Sequence, residues 1–137
     1  MNLLRFLTPK SSVAYISCDD TLRPGLEKMR ARHYTDVPVL DGEGRYVGTL
    51  SENDVLWTMM NEDKFDLRSL EGIPVRDAMK PGQAPVSNLA PMRELLDRVK
   101  EHKFVPVVDD RDVFIGIVTR KDVINFYIDR YLVDESE

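Results

Sequence analysis

The sequence predicts an α/β protein built from two β-α-β-β-α units packed with pseudo-twofold symmetry. The main observation is an internal repeat: VPVLDGEGRYVGTLSENDVL at residues 37–56 and VPVVDDRDVFIGIVTRKDVI at 105–124. Aligned without a gap, seven of twenty positions are identical: Val37/Val105, Pro38/Pro106, Val39/Val107, Asp41/Asp109, Gly48/Gly116, Asp54/Asp122 and Val55/Val123. Tyr46/Phe114, Val47/Ile115 and Ser51/Thr119 exchange like for like. The same supersecondary unit written twice predicts two copies sharing one core, with clefts between them. A second observation is length: 137 residues make one domain's worth of chain, or two half-size units.

The elements follow in order. Val13–Ser17 and Ala84–Ser87 are apolar enough for a first short strand in each copy. Leu22, Leu26 and Met29, and then Met92, Leu95, Leu96 and Val99, fall at helical spacing. Pro24 and Pro91 are expected in the first turns of those helices, where a missing N–H costs nothing, with Thr21 and Asn88 upstream as cap or turn residues. Val37–Leu40 and Val105–Val108 read as buried strands. The turns Asp41–Gly44 and Asp109–Asp112 return the chain along Arg45–Leu50 and Val113–Val118 as hairpins with solvated acidic tips. A last helix is expected over Glu52–Met60 and over Arg120–Leu132. The boundaries are therefore 1–60 for repeat 1, 61–74 for a polar joining segment, 75–131 for repeat 2 and 132–137 for an acidic tail that frays. Val75–Met79 is expected to form a turn of helix leading into repeat 2.

Composition excludes several classes of function. Hydrophobic residues at 42% and charged residues at 31% describe an ordinary water-soluble globular protein. A net charge of −5 argues against general nucleic-acid or anionic-membrane binding, each of which needs a broad basic face. The single cysteine, Cys18, has no partner for an internal disulfide and no metal-ligand neighbour, which fits a reducing cytoplasm. The start, MNLLRFLTPK, is too short and interrupted for a signal peptide or membrane span.

One submotif carries chemistry: Gly48-Thr-Leu-Ser51-Glu-Asn-Asp54 and Gly116-Ile-Val-Thr119-Arg-Lys-Asp122, each running from a strand into a helix. Ser/Thr-x-x-Asp is the pattern of a capping box. It also suits a ligand, because a helix N-terminus attracts anions, a hydroxyl there bonds a phosphate oxygen, and the carboxylate accepts from a ribose diol. The two roles are compatible. One carboxylate per copy without a nearby His or Cys is too few ligands for a dedicated metal site.

The twofold V-P-V-h-D…h-G-h-h-[ST]-x-x-D pattern resembles a pair of cystathionine-β-synthase (CBS) domains, the Bateman module, over roughly residues 8–130. The resemblance implies a disc of dimerised modules and adenosine-containing ligands: AMP, ADP, ATP, S-adenosylmethionine or a cyclic dinucleotide such as cyclic di-AMP. No obligatory cofactor is implied. It also implies two unequal clefts, because the motif of one copy works with the first strand and the loop before Pro-Val of the other. The first cleft would combine Ile117, Thr119 and Asp122 with Thr8, Val13, Tyr34 and Thr35. Asp122 would hold the ribose, Thr119 and Thr8 would meet ribose or phosphate, Val13 and Tyr34 would flank adenine, and Arg120 and Lys121 would add charge for phosphates. The second would combine Thr49, Ser51 and Asp54 with Ala78, Ala84, Lys103 and Phe104, Ala78 standing where the first has Thr8. Glu52 and Asn53 make its charge unfavourable for phosphate except through Lys103, so the first cleft is expected to bind the tighter, more phosphorylated ligand.

Other features have simpler readings. Tyr34 and Phe104 also suit core aromatics, and His33 and His102 suit C-terminal helix positions, being without a partner for catalysis. Trp57, Met59, Met60, Ile124, Tyr127, Ile128 and Tyr131 form apolar stripes on the two final helices, explained in part by core packing and otherwise by a homodimer interface. No nucleophile–base pair, Walker-type loop or metal cluster suggests an enzyme. The function expected is a regulatory adenine-nucleotide sensor acting in trans on an unidentified protein. The alternative is an interaction dimer with vestigial clefts.

Overall fold

The structure is a computed structural model and describes residues 1–132, so the tail from residue 133 onward lies outside the described residues. Its regular elements are β1 (Thr8–Pro9), β2 (Ile16–Ser17), α1 (Leu22–Arg32), β3 (Asp36–Leu40), β4 (Tyr46–Ser51) and α2 (Glu52–Glu62). There follow α3 (Leu67–Leu70), α4 (Val75–Ala78), β5 (Lys80–Pro81), β6 (Val86–Ser87), α5 (Met92–Glu101), β7 (Phe104–Val108), β8 (Phe114–Thr119) and α6 (Arg120–Tyr131). The chain divides into two compact units: Ala14–Gln83, and Met1–Val13 together with the chain from Ala84 onward.

The unit of residues 14–83 has a sheet of order β2-β3-β4-β5, with β2 parallel to β3 and the other pairs antiparallel. Its core holds Ile16, Leu22, Met29, Val37, Val39, Leu50, Val55, Leu70, Ile73 and Val75. All but Leu70 and Ile73 are apolar positions of the expected strands and helices, so burial there follows the repeat. The joining segment departs from expectation: α3 lies within it, and Leu70 and Ile73 are buried. Their side chains join the core, and the Leu22 N–H donates to the Ile73 carbonyl at 2.9 Å.

The second unit repeats the plan in the order β1-β8-β7-β6. Phe104↔Thr119 through Val107↔Gly116 match Asp36↔Ser51 through Val39↔Gly48, and both hairpins shift register after the third buried strand residue, Val39 or Val107. Leu3 and Phe6 from the N-terminal segment join Val86, Leu95, Val99, Val105, Val107, Val118 and Val123 in its core. Residues 1–13 therefore belong structurally with repeat 2.

Several local expectations shift. The first strands are shorter than 13–17 and 84–87, spanning only Ile16–Ser17 and Val86–Ser87. Pro91 is the N-cap of α5 rather than a first-turn residue, and Thr21 caps α1 without a side-chain bond. His33 and His102 are the C-caps of α1 and α5, and His33 is left-handed at φ 57°. The hairpin tips are more than solvated loops. Asp41 Oδ1 accepts from the backbone N–H groups of Glu43 and Arg45 at 2.9 Å each, and Asp109 Oδ1 does the same for Arg111 and Val113 at 2.9 and 3.0 Å.

The Arg45 N–H, followed by that of Glu43 and the Arg45 guanidinium, holds the Asp41 carboxyl below the usual carboxylate range against some desolvation. A depressed folded value means the ionised loop stabilises the fold above the ordinary carboxylate range, near pH ~4, and loses this contribution as pH falls through the folded value. An NMR titration should place the Asp41 midpoint below that of the same hairpin as an unfolded peptide; equal midpoints would sink the assignment.

Candidate functional site: two strand-to-helix corners

Each motif begins with a glycine that no larger residue can replace without disturbance. A Cβ on Gly116 would lie 2.2 Å from the Thr8 carbonyl oxygen, and one on Gly48 would lie 2.4 Å from the Lys80 carbonyl oxygen. The glycines let short edge strands cross close: Thr8 pairs with Ile117 and Pro9 with Gly116, as Lys80 pairs with Thr49 and Pro81 with Gly48. This register corrects the expected equivalence of Thr8 and Ala78. The structural counterpart of Thr8 is Lys80, whereas Ala78 is the last residue of α4. The proline shared by Thr8-Pro9 and Lys80-Pro81 carried that signal, masked by a spacing that differs from the rest of the repeat.

At the motif serine or threonine the strand turns into a helix, and the two corners then differ. Ser51 and Asp54 form a complete capping box: the Asp54 N–H donates to Ser51 Oγ at 3.1 Å, and the Ser51 N–H donates to Asp54 Oδ2 at 2.9 Å. Asp54 is only 5% exposed, and the Lys80 ammonium stands 3.7 Å from its Oδ1. At the other corner the Asp122 N–H donates to Thr119 Oγ1 at 3.1 Å, but the carboxylate makes no return bond and lies in solvent. One carboxylate is enclosed and the other is open.

The cations are also arranged differently from expectation. Arg120 Nε donates to the Val99 carbonyl at 2.7 Å and Nη2 to that of Lys100 at 3.4 Å, so the guanidinium serves the C-terminal carbonyls of α5. Sequence places a charge on a helix but not the direction in which it extends. Lys121 is exposed. A cavity of about 330 Å³ beside Asp122 is lined also by Arg5, Leu7, Asn125, Phe126 and Asp129, with the Arg5 guanidinium 4.7 Å above the Phe126 ring. Arg5 beside Asp122 and Lys80 beside Asp54 are cations that the sequence did not single out.

The remaining site residues fall as follows. Thr8, Val13, Ile117, Thr119, Arg120, Lys121 and Asp122 lie in one compact unit, with Ala84, Lys103 and Phe104; Tyr34, Thr35, Thr49, Ser51, Asp54 and Ala78 lie in the other. Val13 is buried and Tyr34 is exposed. Thr49 is engaged by Tyr46, hydroxyl to hydroxyl at 2.7 Å. The Thr35 carbonyl accepts from the N–H that starts α2 and the Lys103 carbonyl from the one that starts α6, at 3.0 and 2.8 Å. Tyr34 and Phe104 are not counterparts, because Phe104 occupies in β7 the place of Asp36 in β3.

The chain is similar to several known proteins. The chain is 26% identical over 120 residues to the cyclic di-AMP receptor B of Bacillus subtilis, covering 88% of this chain and 82% of that one. It matches the CbpB protein of Listeria monocytogenes, solved with c-di-AMP, at a TM-score of 0.83 and 25% identity over 95% of this chain and 96% of the other. CBSX2 in complex with AMP matches at a TM-score of 0.75 and 25% identity, covering 93% and 96%. These relatives are a receptor and nucleotide-bound proteins. The model of the CBS domain matches twice, at residues 6–61 and 75–129, each match containing one glycine-to-aspartate corner, and the chain belongs to the CBS domain family.

Proposed function

We propose that the protein is a regulatory module that binds an adenine nucleotide (AMP, ADP, ATP or cyclic di-AMP) at the Thr119–Asp122 corner and acts in trans on a partner protein. The observation that carries this reading is the open carboxylate of Asp122 beside a helix start, in a motif whose counterpart is closed by its own capping box. A ribose diol needs a carboxylate with free lone pairs, and Asp122 offers them without breaking an existing bond. The nucleotide-bound relatives support the ligand class. No reaction is assigned, and the nucleotide acts as a ligand rather than a cofactor.

A cytoplasmic setting fits the lone cysteine, and among the described residues no helix is long and apolar enough to cross a membrane. A homodimer through the final helices fits the exposure of Leu56, Trp57 and Met60 on α2 and of Ile124, Ile128 and Tyr131 on α6. Met59 and Tyr127 pack in part on their own cores, which removes them from that surface. The interaction-only alternative, with both motifs as caps, accounts for Asp54 but not for Asp122.

Titration calorimetry with the four nucleotides tests the reading. Asp122→Ala should weaken the tightest of them by about tenfold or more, the scale of losing charge-assisted bonds to a carboxylate. An unchanged affinity in Asp122→Ala, with binding abolished in Asp54→Ala, would overturn the assignment. A wild-type protein bound by none of the four would favour the interaction-only dimer.

A further inference from the structure

We infer that Lys80 is a specificity-determining residue that makes the Ser51–Asp54 corner selective for phosphate-bearing nucleotides over nucleosides. The inference rests on the nucleotide reading above and extends it to the second motif. Lys80 occupies in β5 the place that Thr8 holds in β1, each lying across the sheet from the residue after the motif glycine. A neutral hydroxyl at one corner is thus replaced by an ammonium at the other.

The geometry gives that ammonium two possible partners. It stands 3.7 Å from Asp54 Oδ1, while Oδ2 is held by the Ser51 N–H. A nucleoside diol must take its place at Oδ1 and leaves the ammonium with nothing but water. A nucleotide brings its own anion, so the ammonium moves from carboxylate to phosphate and the carboxylate is released to the diol. The side chain is built for such an exchange. The Lys80 backbone is pinned against Gly48, where a Cβ would meet its carbonyl oxygen at 2.4 Å, yet its side chain is 78% exposed and free to re-aim. Glu52 begins α2 and repels an incoming anion, so a cation from another element is required there.

The test compares adenosine and AMP by calorimetry in Asp122→Ala protein, where the open corner is disabled. AMP should bind about tenfold or more tighter than adenosine. Adding Lys80→Thr, which copies the Thr8 corner, should bring the two affinities within about threefold, weakening AMP and strengthening adenosine, whereas Lys80→Arg should keep the preference. Equal binding of the two ligands with Lys80 present, a preference untouched by Lys80→Thr, or no binding of either ligand to Asp122→Ala would each overturn the inference. Those failures leave wild-type nucleotide binding at Asp122 intact; a wild-type protein that binds no nucleotide would instead remove the reading beneath it.

Discussion

Gly116→Val is expected to destabilise the protein by about 3 kcal/mol or more, with a fall in Tm on the order of 10 °C. Two costs add. Gly116 has φ +155°, a conformation that L side chains rarely adopt, and its Cβ would meet the Thr8 carbonyl oxygen at 2.2 Å, Leu7 Cδ1 at 2.9 Å and Pro9 Cα at 3.1 Å. The leucine tip can move, but the backbone atoms of Thr8 and Pro9 cannot without breaking β1 from β8, the edge of that sheet. Denaturant unfolding measures the loss, and hydrogen exchange at Thr8 and Ile117 locates it. A variant within about 1 kcal/mol of wild type would mean that the strands separate at little cost.

Leu3→Ala should be comparably severe, costing about 2–5 kcal/mol, because Leu3 is fully buried among Val86, Leu95, Val105 and Val118. The location of the damage is the sharper test. Sequence boundaries assign Leu3 to repeat 1, whereas its buried neighbours come from repeat 2. Amides of β7 and β8 should lose protection against hydrogen exchange while those of β3 and β4 retain theirs; the opposite pattern would refute this account of the N-terminal segment.

Much of the architecture was legible because it is periodic. Val37–Leu40 and Val105–Val108 are buried strands, and Leu22, Leu26 and Met29 face a core, as alternation and helical spacing require. β1 and β5 were not legible: two residues show no period, and their partners are distant in sequence. The chemistry divided similarly. Ser/Thr-x-x-Asp located both corners, but an identical pattern could not distinguish an enclosed aspartate from an open one. That difference lies in contacts the pattern does not encode: Asp54 accepts from the Ser51 N–H and has the Lys80 ammonium 3.7 Å away, whereas Asp122 is exposed. The direction of Arg120 was illegible for a related reason, since its guanidinium extends to carbonyls at the end of a different helix.

The pairing of β1 with β8 has a consequence for synthesis. Every strand of the sheet in residues 14–83 has been translated once Pro81 is made, whereas Thr8 must wait for Ile117. Closing so long a loop adds little to the equilibrium cost, since that cost grows only logarithmically, but it delays the pairing. Through that interval Leu3 and Phe6 remain without the core that will cover them, available to a chaperone or to another nascent chain. Residues 3–9 are thus made long before the strand and core that will hold them.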